Sequence, residues 1–63
     1  MNDRDAYITA ATLLKEHGEL AWLHATTKAE TLLEEGDIRG QRVWLKIIRA
    51  IDDLQRQDSG SLH

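Results

Sequence analysis

Apolar positions along this chain recur every three or four residues in three separate runs, the spacing of helix faces rather than strands. In the first run Ala6, Tyr7, Ala10, Ala11, Leu13, Leu14 and His17 share one side at about 100° per residue. In the second, Ala21, Trp22, Ala25, Ala29, Leu32 and Leu33 do the same. The third makes the widest stripe, from Val43, Trp44, Ile47, Ile48, Ile51 and Leu54. There is no proline, so the glycines at 18, 36, 40 and 60 supply the punctuation. Gly18 and Gly36 each close a helix-compatible run, where a left-handed residue ends a helix. Asp37 follows Gly36 directly and reads as the N-cap of the next helix, because its carboxylate can accept from the orphan N–H groups there.

The pattern therefore predicts an all-α fold, a three-helix up-down-up bundle with helices at residues 3–17, 19–35 and 38–57. Residues 1–57 form a single domain, and the polar close "DSGSLH", residues 58–63, reads as a flexible tail. Ala21, Ala25 and Ala29 recur every four residues, and Ala6 and Ala10 match that spacing. Small side chains in register let helix axes approach toward the short end of the range of about 8–10 Å. The expectation is a close antiparallel hairpin of helices 1 and 2, with helix 3 laid across it. Gly40 falls early in helix 3, where glycine costs about 0.5–1 kcal/mol relative to alanine. Either the first turn tolerates it or the helix starts only after it, or another backbone or Trp22 comes close.

Size sharpens what this bundle needs. Sixty-three residues make one small domain, and such a chain buries only about 60% of the surface its unfolded form exposes. With no cysteine, disulfides and thiolate–zinc sites are excluded, which leaves oligomerisation as the natural support. The apolar residues left over point the same way. Leu20 and Leu23 lie off the alanine stripe, beside His24, Thr27 and Thr31; Ile8 and Leu45 lie off the main faces of their own helices. Ile8, Leu20, Leu23, His24 and Leu45 are the interface candidates, and the expected partner is a second copy, in a homodimer, or another protein.

Charge changes the picture less. Eight Lys and Arg against eleven Asp and Glu give a net charge of −3, which offers no global attraction to nucleic acid or anionic lipid. Helix 3 nevertheless carries Arg39, Arg42, Lys46, Arg49 and Arg56 in one stripe, with Asp53 where the next base would fall. The first reading is a solvated face, partly paired with the acidic helix 2. The alternative is a small nucleic-acid-binding regulator whose Arg39, Arg42, Lys46 and Arg49 contact phosphates. Net charge favours the first.

Candidate chemistry is thin. His17 and His24 stand seven residues apart across a helix break, not at i, i+4, and no third strong ligand is near. His17 also suits the negative end of a helix dipole, so no metal is expected. Ser59 and Ser61 lie in the tail without a base beside them. Glu34/Glu35 and Asp52/Asp53 are sequence neighbours that diverge around a helix. A ligand-sized pocket is hard to build in so small a bundle. The expectation is a non-enzyme with no catalytic residue, no cofactor and no small-molecule substrate. "MNDRDAYITAATLL" carries charges of both signs and does not read as an export signal. No apolar run approaches the roughly 20 residues that span a bilayer, so the expected setting is cytoplasmic, without a membrane.

One resemblance rests on specific residues. "Ala11-x-x-Leu14-x-x-His17-Gly18-x-x-Ala21", then "Ala25 … Ala29-x-x-Leu32", then "Gly36-Asp37-x-x-Gly40-x-x-x-Trp44-x-x-Ile47-x-x-Ala50-Ile51" resembles a family of short helical proteins, mainly of alphaproteobacteria, that form a domain of unknown function. The likeness covers residues 6–54, and its most specific pieces are His17-Gly18 and Gly36-Asp37-x-x-Gly40. It implies a small bacterial helical domain and carries over no catalytic or binding residue.

Overall fold

The computed structural model describes residues 2–61, and the side chains of residues 2–57. Helix α1 runs Asp3–His17, a 3-10 turn follows at Gly18–Leu20, α2 runs Ala21–Glu34 and α3 runs Ile38–Ser61. Among the described residues there is no strand, so the all-α expectation holds.

Local chemistry accounts for the boundaries. Asn2 caps α1, its Oδ1 accepting from the Asp5 N–H at 2.8 Å, and Asp3 and Asp5 suit the positive end of the dipole. The helix ends at Gly18, whose φ of 57° and ψ of −127° belong to glycine's territory. The chain then tightens into the 3-10 turn instead of restarting at once. Helix α2 therefore begins at Ala21, two residues later than the sequence pattern places it, and ends at Glu34, one earlier. At its far end Gly36 takes φ 80°, the Gly36 N–H donates to the Leu33 carbonyl at 3.0 Å and the Asp37 N–H donates to the Leu32 carbonyl at 2.8 Å. That pair of bonds is a Schellman closure.

Asp37 then caps α3, accepting from the Gly40 N–H at 2.9 Å. A side chain at position 40 would place its Cβ 2.6 Å from the Asp37 Oδ2. The crowding at Gly40 comes from the cap carboxylate, not from another backbone or from Trp22. Helix α3 continues past the expected end at residue 57 to Ser61. Residues 62–63, the end of the expected tail, lie outside the described residues.

The core joins Ala6, Ala10 and Leu13 of α1, Ala21 and Ala25 of α2, and Ile47, Ala50 and Ile51 of α3. Leu14, Val43, Trp44, Ile48 and Leu54 pack partly buried against it. Helix α3 makes most of its contacts with α2 and many with α1, whereas α1 and α2 share few. This corrects the expected close hairpin of the first two helices. The alanines of α1 and α2 serve instead to admit α3, whose Ile47 and Ile51 are the large side chains buried completely. Branched side chains fill the space that small ones leave, as dense packing requires.

The price of that arrangement is a narrow buried arc on α1 and α2. Tyr7, Ala11 and His17 of the first run, and Trp22 and Leu33 of the second, are exposed although their periodicity places them on core faces. Trp22 keeps 48% of its surface and Leu33 50%. Close approach through alanine leaves the margins of the apolar stripe outside the contact.

Candidate interaction surface

The 3-10 turn shapes the most distinctive surface of the molecule. By turning the chain tightly between Gly18 and Leu20, it sets the end of α1 beside the first turns of α2. A shallow hollow results, lined by His17, Leu20, Leu23, His24, Thr27, Lys28 and Thr31. Leu20 is 62% exposed and Leu23 56%, so both leucines show mostly apolar surface to solvent. The Thr31 hydroxyl donates to the Thr27 carbonyl at 3.0 Å.

His17 and His24 meet at this corner, their rings stacked with centroids 4.6 Å apart and 14° between planes. His24 also sets its ring against Trp44 of α3, at 6.2 Å and 64°. Near-parallel stacked rings aim their nitrogens outward in their own planes and do not converge on one ion. Among the described residues no group of three or more His, Cys, Asp or Glu side chains could hold a metal. The histidine pair is a packing contact that fixes the corner and ties it to α3. Sequence spacing alone did not reveal the stack, because seven residues across a break bring two rings together only when the break is a tight turn.

Of the five interface candidates, the structure brings Leu20, Leu23 and His24 together and leaves the other two apart. Ile8, 56% exposed, and Leu45, 47% exposed, do not line the hollow. Tyr7, Trp22, Leu33 and Ile38 join them among the exposed large apolar side chains. Ile38 follows the Asp37 cap at the start of α3, a position where periodicity gives no warning of exposure.

The described ion pairs of the α3 basic stripe run to Asp3 of α1 and to Asp52 of α3 itself. Lys46 Nζ lies 3.7 Å from Asp3, with both side chains largely in solvent, an exposure at which ion pairs contribute little. Arg56 pairs with Asp52 one turn before it. Asp53, which interrupts the row, accepts the Tyr7 hydroxyl at 2.6 Å across the α1–α3 seam. That hydrogen bond, with burial and the nearby charges of Asp53 and Asp3, pushes the Tyr7 hydroxyl pKa above the usual tyrosine value, and Arg49 opposes the shift. Arg39, Arg42, Val43 and Lys46 line one further hollow, and Asp3, Tyr7, Lys46 and Arg49 border a second.

Among the described residues no helix is long and apolar enough to cross a membrane. Compared with protein-family models, curated proteins and solved structures, the chain matches none.

Proposed function

We propose that the protein is a non-catalytic, self-associating accessory module, and that two copies meet through the Leu20, Leu23 and His24 face. One observation carries this reading: the described chain exposes eight large apolar side chains and buries only three, Leu13, Ile47 and Ile51. Six alanines make up the rest of the buried core. A core that small leaves a short chain marginal, and a second copy laid on the leucine face adds the burial the fold lacks.

A two-fold pairing is the default closed arrangement for such a patch, each copy offering the same residues to the other. The up-down-up reading of the three helices, a cytoplasmic setting, and membership of the bacterial helical family that the sequence resembles belong to the same proposal. Ile8 and Leu45 then stay outside the dimer contact, open to another protein.

Sedimentation equilibrium at micromolar concentration tests the proposal. The expected result is twice the chain mass for the native protein and the single mass for Leu23→Glu. A native protein that stays monomeric into the high micromolar range, with no change on Leu23→Glu, overturns it.

A further inference from the structure

Arg39, Arg42, Lys46 and Arg49 stand in a stretch, residues 38–51, that contains no acid. At helical spacing they occupy one arc of α3, rising about 4.5, 6 and 4.5 Å from each to the next along the axis. Like charges three and four residues apart weaken a helix, so the row calls for a counter-charge. Among the described residues Arg39 and Arg42 have none. Asp3 pairs with Lys46 through a solvent-exposed contact and borders the same hollow as Arg49. Asp53 holds the Tyr7 hydroxyl, Asp52 pairs with Arg56, and Asp37 caps the helix. Among the described residues Arg39, Arg42 and Arg49 form no ion pair, and the exposed Glu30, Glu34 and Glu35 of α2 make none with α3.

We infer that this row on α3 is a contact site for the phosphate backbone of nucleic acid. The hollow lined by Arg39, Arg42, Val43 and Lys46 supports it, because three bases and no acid border it; the adjoining hollow, where Lys46 and Arg49 stand with Asp3 and Tyr7, is only partly basic. Backbone contact of this kind needs only charges in a line and reads no sequence. An anionic membrane fits the surface less well. Among the described residues of α3 only Ile38 and Leu45 are exposed large apolar side chains, too few for an interfacial helix. The four bases give +4 within a total of −3, so the rest of the chain carries −3 − 4 = −7. A flat anionic surface meets that negative remainder, whereas a strand can lie along α3 alone. The site is separate from the leucine face and does not depend on self-association.

Retention of a fluorescent DNA duplex by the full chain at low salt, followed by anisotropy over a salt series, tests the inference. Three to four phosphate contacts give a slope of log affinity against log salt of about −3. Arg39→Glu/Arg42→Glu removes two of them and weakens binding by at least about tenfold, with a shallower slope. That variant keeps the Asp3 and Tyr7 contacts, and acids early in α3 suit its dipole, so circular dichroism should show the native helicity. Arg4→Glu/Lys15→Glu changes net charge equally on α1 and should retain most of the binding. No retention at low salt, or equal loss from both double variants, overturns the inference. Binding to phosphatidylserine vesicles without binding to the duplex also overturns it and assigns the row to lipid headgroups.

Discussion

Single residues explain features that look arbitrary in the sequence. Asp53 breaks a row of bases, and its reason is Tyr7, whose hydroxyl donates to it at 2.6 Å and so joins α1 to α3. The bond requires a protonated phenol. Because the folded-state pKa of Tyr7 is raised, its stabilisation is fully present below the ordinary tyrosine pKa of about 10 and is lost as pH rises through the raised value. Tyr7→Phe is therefore expected to melt below the native protein at neutral pH. The gap should close in strongly alkaline buffer; a gap unchanged across that range means the bond does not contribute. Asp37 and Gly40 form a second such pair. The glycine that costs helix propensity sits against the carboxylate that caps its own helix.

Among the elements, caps and corners were legible in the sequence and helix partnership was not. Gly36-Asp37 encodes its Schellman closure and the following N-cap in two neighbouring residues, so local chemistry suffices. The alanine stripes of α1 and α2 declare only that something approaches closely. They do not say whether that is each other or α3, and the structure gives α3. Periodicity likewise marks the centre of a buried face without its width, which is why Trp22 and Leu33 fit the stripe and yet stand half exposed. The leucine face was legible for a related reason: Leu20 and Leu23 fall far from the stripe centre, where no choice of width buries them. The His17–His24 stack depends on the 3-10 turn and could not be read from spacing. Ala25 is fully buried in the core that α3 joins, so Ala25→Leu should overpack the contact and cost about 1–3 kcal/mol in denaturant unfolding. A neutral result there would mean that α3 does not press on the alanine face.

At the scale of the whole molecule, large apolar side chains outside and mostly alanine inside are the features that the proposed self-association would answer. On that proposal its stability is tied to its own concentration, because a partner that binds only the folded form stabilises it by mass action. The measurement that tests this most directly is the thermal midpoint of the native chain and of Leu23→Glu across a wide dilution series. The account predicts a midpoint that climbs with concentration for the native chain and stays flat for Leu23→Glu. A native midpoint independent of concentration, and equal to that of Leu23→Glu, would contradict it.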